Sequence, residues 1–422
     1  MKIAQFSFCV ITILVSECSC QEITYKNVAF FDNHMIITTT HQGRSLQEFL
    51  PDDPVESLTI LGTIPVLYKD AIINVSNVRE LHLYNNKIEQ IHPEAFKNLI
   101  GVEMLEMKYS DFITIKKGIF NDLAIRKLIV AYNHQLETVE EGAFDNPHIE
   151  TLELTVSVIK TLPKNIFQKM AKLKTLDLTG NLLSSIPPEF LKLGLESVYF
   201  SYNRLTSIPG GVFTGHQTLQ EVNLADNNIS LIDSSAFDHM LQLKSVNLAH
   251  NKLTTIEPEW FYNSSSVTRL NLHRNFFEDI PDEAFKNLHG EVEKIVLSEC
   301  RVKNISCGAF KGIKMVRSLD LRMNEIEKWD AGFLTGLKKI RSLMLSANKI
   351  KCPDGDFNDV FKAEYTYVGL NPLDVDCLEK IEDWMKLESS KGHVVCTEES
   401  CFDWITIFCV FVFAFNKCFP NL

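Results

Sequence analysis

Apolar residues in this chain keep two periods at once. Over a few residues they alternate with polar ones, as in Leu81/Leu83/Ile88, Leu176/Leu178/Leu183, Val222/Leu224/Ile229 and Leu343/Leu345/Ile350. Alternation of period two sends one set of side chains to a buried face and leaves those between them exposed, so each triplet predicts one short strand. Over longer distances the pattern returns every 23 to 25 residues, the spacing of Phe96, Phe120, Phe144, Phe167, Phe190, Phe213, Phe237, Phe261, Phe285, Phe310 and Phe333. A second column runs in step: Asn86, Asn133, Asn181, Asn203, Asn227, Asn251, Asn275, Asn324 and Asn348, with Ser110, Ser157 and Cys300 in the three remaining places. A unit this short cannot bury its own leucines. It gains a core only by stacking on copies of itself, so the period predicts one elongated array rather than separate globules.

The unit resembles the leucine-rich repeat of extracellular proteins, LxxLxLxxNxIxxIxxxxFxxLxx. Thirteen copies begin near Val55, Val78, Val102, Ile125, Ile149, Leu173, Leu195, Leu219, Leu243, Val267, Val292, Val316 and Ile340, covering residues 55–351. The resemblance implies an α/β solenoid, a horseshoe with a parallel sheet on its concave side, short helices and turns on its convex side, and a cap at each end. At about 4.8 Å between strands the inner arc reaches roughly 60 Å, a span suited to a macromolecule rather than a metabolite. In such a coil the Asn amide turns inward at the corner after the strand and satisfies buried backbone groups, while the Phe fills the looser opposite wall. The array is similar to insect secreted leucine-rich immune proteins and to Toll-like receptor ectodomains. That likeness implies an extracellular protein or a pathogen-derived ligand as partner, and innate immunity as a setting.

Outside the repeats, residues 1–20 read as a secretory leader: Lys2 is basic, Ile3 to Val15 is mostly apolar, and Ser16 to Cys20 is small, with a cut before Ser19 or Gln21. A buried N-terminal strand in a chain that is not exported is the alternative. Residues 21–54 are expected to cap the first coil as a hairpin, from Ile23, Tyr25, Val28, Phe30 and Ile36-Ile37 around Asp32-Asn33. Residues 352–401 resemble the cysteine-containing C-terminal cap of such proteins through Asn371-Pro372-Leu373 and Cys377, with Val375 where a further cysteine is expected. Cys352, Cys377, Cys396 and Cys401 are the disulfide candidates there, and their pairing stays open between Cys352–Cys377 with Cys396–Cys401 and a Cys377–Cys396 bridge. Residues 402–422 form a short apolar tail, Trp404 to Phe415, below the roughly twenty residues a spanning helix needs. It reads either as a soluble tail, with Cys409 or Cys418 linking two chains by a disulfide, or as a membrane anchor or contact that would make this a cell-surface adhesion or receptor-like protein.

Formal net charge is −12, which disfavours nucleic acid and anionic membrane surfaces as partners. No nucleophile elbow, zinc-binding H-E-x-x-H, P-loop or C-x-x-C pair occurs, so no enzyme, metal or cofactor is expected. Asp354 to Asn358 fails the calcium-loop pattern and reads as turn residues. His82, His250 and His273 read as isolated surface residues. Cys300 and Cys307 fall within one repeat, where a local disulfide is an open choice. Sequons at Asn74, Asn228, Asn263 and Asn304 agree with export and glycosylation.

Strand positions beside the buried leucines, with the corner before the Asn column, define a candidate concave binding face. It carries Tyr84, Tyr109, Tyr132, Tyr199 and Tyr202, then Glu106, Glu153, Asp177, Glu221 and Asp226, then Arg269, His273, Arg274 and Arg322. Tyrosine and arginine are the residues that most often anchor protein interfaces.

Overall fold

A computed structural model describes residues 11–15, 24–32, 35–42, 55–62, 64–73, 75–97, 99–121, 123–186, 194–213, 217–387 and 393–395. The chain divides into two compact units, Met1–Thr206 with Gly215–Leu219, and Ser207–Thr214 with Gln220–Leu422.

In the first unit, strands Val55–Gly62, Val78–Tyr84, Met104–Lys108, Lys127–Ala131, Thr151–Thr155, Thr175–Asp177 and Ser197–Tyr199 stack in parallel. Their register is fixed by the leucine column: Leu58, Leu81, Leu105, Leu128, Leu152, Leu176 and Val198 lie side by side and all are buried. A slip of one residue would turn that whole column to solvent. Thr24–Asp32 and Met35–Gln42 form an antiparallel hairpin with Asp32 opposite Met35. Ile11–Val15, inside the expected leader, pairs in parallel with Val55–Gly62 and antiparallel with Thr24–Asp32.

The second unit repeats the arrangement through Glu221–Asn223, Ser245–Asn247, Arg269–Asn271, Gly290–Val296, Ile313–Asp320 and Lys339–Met344. The sheet then continues through Tyr365–Tyr367 and His393–Val395. Repeat winding therefore runs past residue 351: the Asn371 amide donates to the carbonyls of Leu345 and Val368 at 2.8 and 2.9 Å, as the other corner asparagines do. Helix Val375–Leu387 buries Cys377 and Ile381, and Trp384 stacks on Phe361 with ring centroids 5.0 Å apart. Cys352 is bonded to Cys377; Cys396 and Cys401 lie outside the described residues, as do Asn74, Phe190 and the tail 402–422.

The Asn and Phe columns carry the coils. Asn251 is representative: its amide donates to Leu224 O and Leu248 O at 2.9 and 3.0 Å, and its oxygen accepts from Ile229 N–H at 3.0 Å. One side chain thereby closes its own corner and ties it to the coil before. Cys300 stands in with its thiol 3.1 Å from Leu272 O, and burial pushes that thiol up to about 12. Cys307 is exposed and the two are not bonded, because one points into the core at the corner and the other out to solvent. Opposite the sheet, Phe96, Phe120 and Phe144 stack at 6.3 and 6.0 Å between centroids, and Phe213, Phe237 and Phe261 at 5.4 and 5.5 Å. The expected short helices on that side are mostly turns and two-residue strands such as Thr114–Ile115 with Thr138–Val139. Two single turns of 3-10 helix, Pro258–Phe261 and Ala331–Leu334, also lie there. With 23 to 25 residues per coil, little chain remains on that side for longer helices.

Candidate functional site

The corner before each Asn is the most regular feature of the exposed surface. Asn85, Tyr109, Tyr132, Val156, Tyr202, Asp226, His250, Arg274, Glu299, Met323, Ala347 and Leu370 all hold φ between 49° and 60° there, and Gly180 takes the same place with φ at 71°. Such left-handed residues cost energy when they carry a β-carbon. Most are held by an inter-coil hydrogen bond, for example Tyr109 N–H to Ala131 O, Tyr132 N–H to Thr155 O and Arg274 N–H to Ser298 O. The backbone turn aims these side chains outward, so the column is a row of freely chosen groups on a fixed spacing.

In the first unit that row carries three tyrosines. Tyr109 and Tyr132 are 49% and 39% exposed, and Tyr202 is 62% exposed. The Tyr109 and Tyr132 rings stack with centroids 5.1 Å apart and planes 22° from parallel. Tyr84 differs from the expectation of an exposed ligand residue. It is half-buried, its hydroxyl donates to the Glu106 carboxylate, and burial together with that bond raises its pKa.

Glu106 and His82 also depart from the surface roles expected of them, since both are buried. His82 Nδ1 lies 2.6 Å from Glu106 and Lys108 Nζ 2.5 Å. Burial alone would raise the Glu106 carboxyl, but hydrogen bonds from His82, Lys108 and Tyr84 overcome it and bring the pKa down to about 2. The cluster was legible in principle, since His82 and Glu106 occupy the same repeat position in consecutive coils. On the same sheet face Glu153 pairs with Lys127 at 2.8 Å, and Tyr199 is half-buried beside Asp177 in register.

Asp177 has a structural task. Its carboxylate accepts from Thr179 N–H at 2.8 Å, closing the strand end, and burial raises its pKa. Asn223, Asn247 and Asn271 do the same for the N–H two residues on, at 3.1 Å each. Asp320 joins them, and it also holds Arg322 through Nε and Nη2 at 2.9 and 2.8 Å. Sequence reasoning placed Asp177 and Arg322 among ligand-facing groups because the alternation exposes those positions. The side-chain turn that occupies them leaves no hydrophobic signature.

In the second unit Glu221 is half-buried and lines a shallow cavity with Asn223 and Arg269. Arg269 pairs with Glu293 at 3.2 Å, and Arg274 with Glu299 at 2.6 Å. His273 Nδ1 is 3.0 Å from Ser298 O and Oγ. Its ring lies 5.1 Å from that of His250, so these two histidines are neighbours rather than isolated. Asn228, Asn263 and Asn304 are exposed; the Asn263 and Asn304 amides contact His239 and Asp279. Among the described residues no helix is long and apolar enough to cross a membrane.

Stacked parallel strands, inward asparagine corners and an opposed phenylalanine column define a repeat solenoid that presents its sheet and corner residues for contact. Family profiles match at that level: "Leucine rich repeat" over residues 76–134, 124–183 and 291–350, and "BspA type Leucine rich repeat region" over 185–317. The chain is a leucine-rich-repeat protein. It is similar to lumican of Gallus gallus, 28% identical over 190 residues, 39% of this chain and 53% of lumican. The chain thus spans about half the length of that relative. In fold it is similar to the APL1 leucine-rich repeat domain, TM-score 0.60 at 19% identity over 76% of this chain and 81% of that one. A chain of the LRIM1/APL1C complex gives a TM-score of 0.63 at 16% identity over 98% of this chain and 74% of its own length.

Proposed function

We propose that this protein is an exported, glycosylated and non-enzymatic recognition scaffold. It binds an extracellular protein at the tyrosine-bearing corner of the first unit, with innate recognition as its setting. The observation that carries this reading is the stacked, solvent-facing pair Tyr109 and Tyr132. Holding two aromatic rings at left-handed backbone positions opposes local preference, and neither ring fills the core. Tyrosines held rigid in this way bury area on contact at low entropic cost. Tyr202 and the half-buried Tyr199 extend the same chemistry along the unit. A structural neighbour belongs to a complex named for two partners, LRIM1/APL1C, which supports protein binding as the use of this fold. Export is supported by the leader-like run 1–20 and by the sequons, of which Asn228, Asn263 and Asn304 are exposed.

The test is affinity capture from extracellular fluid by the intact chain, compared with the double variant Tyr109→Ala/Tyr132→Ala and read by quantitative mass spectrometry. A partner retained by the intact chain falls more than tenfold on the variant, as loss of two interface anchors requires. Equal capture by both proteins refutes the assignment.

A further inference from the structure

Several basic residues on this protein's surface are paired with a carboxylate one coil away: Arg79 with Glu103, Lys127 with Glu153, Arg269 with Glu293 and Lys349 with Glu325. On the sheet of the second unit, by contrast, cations face one another. Arg317 and Arg341 stand directly opposite each other on adjacent strands, between the paired positions Val316/Ile340 and Ser318/Ser342. Like charges facing each other across a strand pair are destabilising. Arg341 reaches Glu364 only at 3.8 Å. Glu293, which lies opposite Arg317 on the other side, is engaged by Arg269. Among the described residues neither Arg317 nor Lys294 has an ion-pair partner, and both are exposed.

These three cations border an open depression of about 580 Å3, lined also by Ser318, Ser342, Tyr365 and Tyr367 and by Glu293, whose carboxylate is engaged by Arg269. The two tyrosines are two residues apart on one strand and so share its face. An extended peptide has no backbone to pair with here. Strands Gly290–Val296, Ile313–Asp320, Lys339–Met344 and Tyr365–Tyr367 are each hydrogen-bonded to a neighbour on both sides, so strand addition is closed off. What fits is a compact group with two or three acidic oxygens for the guanidinium forks, hydroxyls for the serines, and an apolar face for the rings.

We propose that this pocket binds an anionic sugar through its sulfate or phosphate ester. The ester lies between Arg317, Arg341 and Lys294, offsetting the repulsion of the two arginines. The ring hydroxyls meet Ser318 and Ser342, and the pyranose packs on Tyr367. The site shares no residue with the tyrosine corner of the first unit, so either assignment can fail alone.

Calorimetric titration of the full chain tests it with four probes: a sulfated heparin hexasaccharide, its desulfated counterpart, mannose 6-phosphate and a glutamate-rich decapeptide. At least one ester-bearing sugar binds, which of them does so identifies the ester, and the desulfated sugar does not. Lys294→Ala/Arg317→Ala weakens binding at least tenfold, whereas Lys127→Ala in the first unit leaves it unchanged. All substituted side chains are solvent-accessible, and unchanged circular dichroism verifies folding. Absence of binding by both ester sugars, equal binding of the desulfated one, tighter binding of the peptide, or equal weakening by the control substitution each overturns the proposal.

Discussion

Replacing Glu106 by glutamine isolates the charge of one buried carboxylate while keeping its shape and an acceptor oxygen. The carboxyl is 5% exposed, so solvent screening does little to discount its electrostatics. Lowering its pKa from 4.5 to about 2 corresponds to roughly 3 kcal/mol of preference for the ionised form in the folded chain. Because the folded value is the depressed one, that contribution is complete above about pH 4.5 and is lost as the pH falls toward 2. Glutamine mimics the protonated acid, so Glu106→Gln destabilises the coil by roughly 3 kcal/mol at neutral pH, about 1 kcal/mol at pH 3 and almost nothing at pH 2. Long repeat arrays do not unfold as one unit, so the fitting assay is local. Amide hydrogen exchange in strand Met104–Lys108 of the variant is compared with the parent at each pH. Exchange at pH 7 is faster by roughly a hundredfold or more, and the gap closes in acid. Equal exchange at pH 7, or a gap that persists at pH 2, would refute the view that His82, Lys108 and Tyr84 hold an ionised carboxylate.

Three further outcomes follow from the coil geometry. Asn251→Ala strands the carbonyls of Leu224 and Leu248 and the N–H of Ile229; a loss of about 3 kcal/mol or more is expected, read as a lower urea midpoint for the second unit. Ala347→Gly runs against the usual penalty for glycine: with φ at +57° the substitution stabilises by about 1 kcal/mol, and a fall in melting temperature would contradict the corner assignment. Peptide mapping after brief iodoacetamide treatment of the native protein at pH 8 finds Cys307 labelled and Cys300 protected. The reason is that Cys300 is buried and its thiol pKa pushed up to about 12; equal labelling would place Cys300 outside the core.

Much of this fold was legible in the chain because its determinants recur at fixed positions. The leucine triplets, the Phe column and the Asn column each announce themselves in a single sequence, and a repeat whose neighbour is another copy of itself has few alternative ways to pack. The places of Tyr109, Tyr132 and Tyr202 followed from the same register. What the chain did not announce concerns single side chains. Tyr84 ends its strand opposite Lys108 while Tyr109 sits one place further on, at the corner; the hydroxyl of the first is tied down by a buried carboxylate and the ring of the second is open to solvent. That carboxylate is Glu106, which belongs to a separate coil. Asp177 and Arg322 looked ligand-facing because alternation exposes their positions, but a turn two residues long uses the carboxylate of Asp177, and Arg322 is held by Asp320.

Sequence by itself therefore determined the repeat, its strand register and its structural columns, since each rests on periodicity that a local pattern of apolar and polar residues fully specifies. Only the tertiary structure decided which charges are neutralised, which cysteines pair and which arginines are left facing one another. Those outcomes depend on atoms of neighbouring coils, some 23 to 25 residues apart in the chain, meeting within a few ångströms. Coulomb and hydrogen-bond energies at that range turn on distance and burial, which a linear pattern does not encode.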